Sequence, residues 1–393
     1  MIIITKEQIK TIIGTIGLTL STGSVYAMSI FTLPLMNQYG FLAPDVAFIF
    51  SLAIFVLGMS ATIFGELVEK HGPREIGLIA TVLFSGGLIL SGLSLTLELG
   101  ALTSLYFWYS IISGTALGLS YIACPSTLLK QFPKNKAKAA AISIISFGLG
   151  AAVNAPISQL LLEIYPVNEV FIILGIGYFI IMLLSSLLLP EKPFKTEQTN
   201  YGVTAHEALG VKEFYIIWLM FFFNIFFGIS LISVAAPLGT EEFMLSAIEA
   251  AGFVAAISVA NTIGRFILAA LSDKLGPKKT YIGIYLIQLV AITSIIFVNV
   301  ISIKIIAVLI IAMCYGGGFA VLPHLVATNF GLKNIGYIHS RLLSAWAMAG
   351  IFAGLSIGFL KSIFGTYLII CPIFLIIFII ACYLAYKLKD QYK

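Results

Sequence analysis

Gly65-Glu-Leu-Val-Glu-Lys-His-Gly-Pro-Arg74 and Ala269-Ala-Leu-Ser-Asp-Lys-Leu-Gly-Pro-Lys278 agree at an acid, a lysine, a glycine, a proline and a closing base. The first copy follows the second long apolar stretch of the chain, and the second copy follows the eighth. Another pair has the same offset. Gly118-Leu-Ser-Tyr-Ile-Ala-Cys-Pro125 lies in the fourth stretch and Gly316-Gly-Gly-Phe-Ala-Val-Leu-Pro323 in the tenth, each with an aromatic three residues after a glycine and four before a proline. Matching motifs six stretches apart are the mark of a duplication. They predict an N-terminal six-helix bundle over residues 1–189, a charged cytoplasmic linker over 190–213, and a C-terminal six-helix bundle over 214–393.

Composition supports spanning helices throughout. The chain is 60% hydrophobic and only 10% charged, whereas soluble domains carry about a quarter charged residues. Twelve apolar stretches approach or exceed the length of a bilayer-crossing helix, which is about 20 residues. The expected fold is therefore an all-α membrane protein of twelve transmembrane helices in two pseudo-symmetric halves. The first stretch is of spanning length and reads as a first helix, not as a cleavable leader.

Basic residues set the expected orientation. With a cytoplasmic N-terminus, 19 of the 22 Lys and Arg residues fall on the inner side, only Lys304 and Lys361 fall outside, and Arg265 remains within a span. The positive-inside rule then places both termini in the cytoplasm of a cell bounded by an inner, or plasma, membrane. The net charge of +5 reflects this loop placement and not nucleic-acid binding. The four cysteines lie in spans without paired spacing, so neither a disulfide framework nor a metal site is expected. There is no phosphate-binding loop, and no His, Cys or acid constellation that could do hydrolytic chemistry, so neither an enzyme nor a cofactor is expected.

Arg265 is the residue that asks for a function. It stands in Asn261-Thr-Ile-Gly-Arg265, deep in the eighth stretch. A charge at such a depth costs several kcal/mol by common scales and marks a substrate or ion path by default. Its planar fork suits a carboxylate, and Asn261, one turn earlier, shares its helix face. Tyr121 in the fourth stretch has a hydroxyl able to donate to an anion. Tyr26, Phe147, Tyr315, Phe319 and Trp346 are available as aromatic walls. His324 is a candidate proton carrier. Glu249 is sixteen residues from Arg265, about 24 Å along a helix, too far to pair with it. No Asp or Glu lies deep in any span. In the two loops, Glu69 and Asp273 can cap helix ends or pair with nearby bases, and a glycine permits a sharp turn.

The loop pair resembles the signature of the major facilitator superfamily, in which an acid, a base, a glycine and further bases recur after spans two and eight. This chain carries Gly65, Glu69, Lys70, Gly72 and Arg74 in the first copy and Asp273, Lys274, Gly276 and Lys278 in the second, with Ala269 where glycine is usual. The resemblance implies a conformational gating role for these residues and alternating access between the two halves. Within the superfamily, Gly23-Ser-Val-Tyr-Ala-Met-Ser-Ile-Phe31, Gly114 through Pro125, Asn261 through Arg265 and Tyr315-Gly-Gly-Gly-Phe-Ala-Val-Leu-Pro323 resemble the oxalate/formate antiporter family and the related monocarboxylate porters. That resemblance implies that Arg265 binds the substrate carboxylate and that Tyr121 and Asn261 assist.

Two departures narrow the expectation. The oxalate exchanger has a second base in span eleven, but Ser344-Ala-Trp-Ala-Met-Ala-Gly350 contains none after Arg341. One buried cation balances one carboxylate, which favours a monocarboxylate. Proton-coupled animal porters have an aspartate where Asn261 stands and a lysine in span one that is absent here. The expected partners are thus a small carboxylate, a proton or counter-anion, and bilayer lipid, with a monomer as the working unit. The competing readings are a facilitator for an amino acid, sugar derivative, siderophore or drug, and a receptor that keeps a transporter fold without transporting.

Overall fold

The computed structural model describes residues 5–64, 67, 70–97, 100–132, 136–192, 202–331 and 334–388. Gly65 and Glu69 of the first loop motif lie outside the described residues. Among those described, twelve helices are long and apolar enough to cross a membrane. We number them α1 (Lys6–Tyr39), α2 (Ala43–Ile63), α3 (Pro73–Thr96), α4 (Ala101–Gln131), α5 (Lys136–Leu162), α6 (Val167–Leu187), α7 (Lys212–Ser233), α8 (Ala247–Leu275), α9 (Pro277–Phe297), α10 (Ile301–Phe330), α11 (Ile335–Phe364) and α12 (Tyr367–Lys387). The chain divides into two compact units, Met1–Thr196 and Glu197–Lys393.

In the first unit α3 packs along α6 and α4, α2 packs on α4, and α1 packs against α5, α6 and α4. Helix α1 continues past Pro34 to Tyr39, with a 3-10 stretch over Gly23–Phe31 in its middle. Helix α4 contains a wider π-type stretch over Tyr106–Ser113. Such departures from regular α geometry inside a long helix often mark hinges or functional sites. In the second unit α8 lies along α10, α9 packs on α10 and α12, and α7 packs on α11, α10 and α12. A short helix, Ala205–Leu209, precedes α7 and is started by a Thr204/Glu207 capping box.

The glycines of the two duplicated loops share one backbone conformation. Gly72 has φ 85° and ψ 161°, and Gly276 has φ 87° and ψ 153°, a conformation that side chains rarely tolerate. Each glycine is followed by a proline at the first position of the next helix, where the missing N–H costs nothing. The closing bases have parallel tasks. Arg74 Nε donates to Leu189 O at 2.9 Å just beyond α6, and its guanidinium pairs with Glu191. Lys278 Nζ donates to Leu388 O at 2.5 Å just beyond α12. In each unit, then, the loop base meets the carbonyl end of that unit's last helix, where a cation is favoured by the helix dipole. Asp273, at the end of α8, has an 82% exposed side chain whose Oδ1 lies 3.9 Å from His324 Nδ1.

Candidate functional site at Arg265

Helix α8 begins with a Ser246/Glu249 capping box, so Glu249 is engaged at its own helix end. Four turns further, Arg265 is 3% exposed and Asn261 1% exposed. Arg265 Nε donates to Asn261 Oδ1 at 3.2 Å. The guanidinium carbon lies 5.4 Å from the centroid of the Phe319 ring on α10. The amide oxygen and the ring face both favour a cation and help to orient the guanidinium in a low-dielectric interior.

Phe319 is the hub of an aromatic cluster. Trp346 of α11 meets it edge-on at 4.8 Å, Tyr315 at 5.3 Å, and Phe221 of α7 at 5.0 Å. Trp346, Tyr315 and Phe221 are fully buried. Of the residues the sequence nominates, five (Arg265, Asn261, Tyr315, Phe319 and Trp346) are thus brought into one continuous cluster within the second unit. Phe221 is a member that the sequence does not single out, because it sits in the run Phe221-Phe-Phe223 where nothing distinguishes one ring from the next.

This cluster depends on the crossing of α8 and α10. A Cβ on Gly316 would strike the main-chain and side-chain oxygens of Asn261, and one on Gly264 would strike the carbonyl oxygen of Met313. Small residues let backbones approach this closely inside a membrane. Where α7 packs on α10, Asn224 lies against Gly318, with Asn224 Nδ2 donating to Cys314 O at 3.3 Å. Tyr281 Oη of α9 donates to Gly318 O at 2.7 Å. Carbonyls of the glycine-rich part of α10 are therefore held from two sides.

The remaining nominated residues lie elsewhere. In the first unit Tyr26 and Tyr121 both meet Phe147 edge-on, at 5.5 and 5.3 Å. His324 sits five residues beyond Phe319 on α10, with Nδ1 2.9 Å from Ser272 Oγ and 3.9 Å from Asp273 Oδ1. Ser272 is seven residues from Arg265, about 10 Å along the helix, which puts His324 at the loop end of α8 and not at the guanidinium. Among the described residues, the carboxylates on the spanning helices sit at their ends, as with Asp45, Glu75, Glu169, Glu213 and Glu249 in first turns. No group of three or more His, Cys, Asp or Glu among those residues could hold a metal ion.

Comparison with known proteins agrees with this architecture. The chain is 29% identical over 331 residues to the uncharacterized MFS-type transporter YhjX of Escherichia coli (strain K12), covering 83% of this chain and 81% of that one. It is 23% identical over 347 residues to the oxalate:formate antiporter of Oxalobacter formigenes, covering 85% and 80%. Its fold is similar to that of the D-xylose-proton symporter, with a TM-score of 0.78 at 15% identity over 98% of this chain and 99% of that one. The family model of the Major Facilitator Superfamily matches residues 14–354. With twelve apolar helices, a duplicated loop and that match over most of its length, the chain is a multi-pass membrane protein that belongs to the Major Facilitator Superfamily of transporters.

Proposed function

We propose that this transporter carries small organic anions, with monocarboxylates as its cargo and Arg265 as the group that receives the carboxylate. The observation that carries this reading is a permanently charged guanidinium in a spanning helix, 3% exposed, with Asn261 at its Nε and the Phe319 ring beside it. The Oxalobacter formigenes relative is named for two carboxylates, which supports the same chemical class here. Between Arg341 and Lys361, α11 holds no basic residue, so a dianion would bring a second charge with no second cation to meet it. Phe319 supplies an apolar wall beside the guanidinium, and Tyr315 and Trp346 back that ring.

Exchange is the favoured mode. An empty carrier must desolvate Arg265 without an anion, at a cost of several kcal/mol, and a bound carboxylate removes that cost. The loop residues Lys70, Gly72, Arg74, Asp273, Lys274, Gly276 and Lys278 are assigned to gating, with Gly65 and Glu69 outside the described residues. The distribution of bases supports an inner-membrane location with both termini cytoplasmic.

A thermal-shift panel tests the reading. Formate, acetate, lactate, pyruvate and oxalate are added to purified protein and to Arg265→Ala, since a ligand that binds only the folded state raises Tm by mass action. Short monocarboxylates should stabilise the wild type, and Arg265→Ala, monodisperse by size exclusion, should lose about 10- to 100-fold in affinity. Equal stabilisation of both proteins, or stabilisation only by neutral or cationic solutes, overturns the assignment.

A further inference from the structure

Away from Arg265, α9 and α10 leave an apolar groove of about 350 Å³ between them. Its walls are Leu286 and Val290 on one side and Ile303 and Ile306 on the other; its floor is Ala291 and Ala307. The wall residues are 53%, 69%, 39% and 54% exposed, and the two alanines 3% each, so small side chains give the groove its depth. The one hydroxyl in the lining, Ser294 Oγ, donates to Val290 O at 2.9 Å. It presents no unmet polar demand.

The groove runs along α9 from Leu286 to Ser294, about 12 Å at the rise of an α-helix. That fits within one leaflet, roughly half of the ~30 Å hydrocarbon core. Three residues, Val298 to Val300, join the two helices beyond its end. There Lys304 Nζ donates to Asn299 Oδ1 at 3.4 Å, which brings an ammonium group to the turn where the hydrocarbon region meets headgroups and water. An apolar cleft on helices that cross a bilayer is covered by lipid and not by water. Because lipid tails are as apolar as leucine, burial alone selects nothing. Shape and charge must select, through dispersion contacts in a cleft a chain can fill and a charge-assisted contact at its mouth.

We infer that this groove seats one acyl chain of a bilayer phospholipid whose headgroup phosphate is met by Lys304. The lysine favours an anionic headgroup over a zwitterionic one, because no ammonium on the lipid offsets the phosphate.

Native mass spectrometry of the full chain, loaded with an equal mixture of phosphatidylglycerol and phosphatidylcholine, tests this directly. The wild type should retain one phosphatidylglycerol per chain. Val290→Trp fills the groove from one wall and Ile306→Trp from the other; both sites are surface positions that a larger ring can occupy without entering the core. Each should lower lipid occupancy about tenfold. Lys304→Gln should keep a bound lipid but lose the preference for phosphatidylglycerol. Unchanged occupancy in both tryptophan variants overturns the groove site, and an unchanged preference in Lys304→Gln overturns the headgroup contact. A two-chain mass in the wild type that reverts to one chain in Val290→Trp would instead assign the groove to a second copy of this protein.

Discussion

Asn261 accepts a hydrogen bond from Arg265, Oδ1 to Nε at 3.2 Å, one turn apart on the same helix. The contact holds the guanidinium by its inner nitrogen. Asn261→Ala should therefore weaken carboxylate binding by about 3- to 10-fold, less than the full value of a hydrogen bond to a charged group because Asn261 acts on the cargo through Arg265. Asn261→Asp should weaken it more, because a carboxylate one turn away competes with the cargo for Arg265. Ligand titrations followed by calorimetry separate the two. Wild-type affinity in Asn261→Asp would show that Arg265 is not the anion receptor.

Transport should be faster when both sides offer anion. In proteoliposomes, counterflow of a labelled monocarboxylate against unlabelled anion should exceed net uptake into empty vesicles by about tenfold or more, since a few kcal/mol separates loaded from empty reorientation. Equal rates would remove the exchange mechanism and leave the binding assignment standing.

His324 is the candidate for any proton coupling, because its ring nitrogen reaches Ser272 and lies near Asp273 at the loop end of α8. Uptake that rises on acidification should lose that rise in His324→Gln, with exchange in mildly alkaline buffer unchanged. A retained acid response places the proton on the substrate.

Gly316 sets how closely α8 and α10 approach. Gly316→Val should destabilise by about 1–3 kcal/mol or more through overpacking, read as a drop in Tm of several degrees together with weaker carboxylate binding. Gly283→Ala, where an added Cβ meets nothing, is the control and should stabilise slightly, by about 0.5–1 kcal/mol. Similar losses in both would show that the close crossing is not what Gly316 provides.

Much of the site was legible because intramembrane charge is rare enough to be read residue by residue. Arg265 stands out in its span whatever the fold, and Asn261 follows from helical spacing alone. The aromatic residues are a different case. Tyr315, Phe319 and Trp346 could be nominated, but phenylalanine is so frequent here that Phe221 could not be separated from its neighbours. The sequence leaves Asp273 either a helix end or a nearby base as its partner; in the structure its Oδ1 lies 3.9 Å from His324 Nδ1. The ends of α6 and α12 are met by the bases Arg74 and Lys278, whose partner carbonyls are 115 and 110 positions away, a distance in sequence that no local pattern spans.

The sequence by itself determined the twelve spans, the duplication and the depth of the intramembrane cation, because each depends only on the chemistry of a local stretch about one helix long. Tertiary structure decided which ring faces the guanidinium, which helices share the aromatic hub, and where a lipid-facing groove opens between α9 and α10. Those features follow from helix rotation and spacing, which are fixed by packing such as Gly316 against Asn261 between segments far apart in the chain.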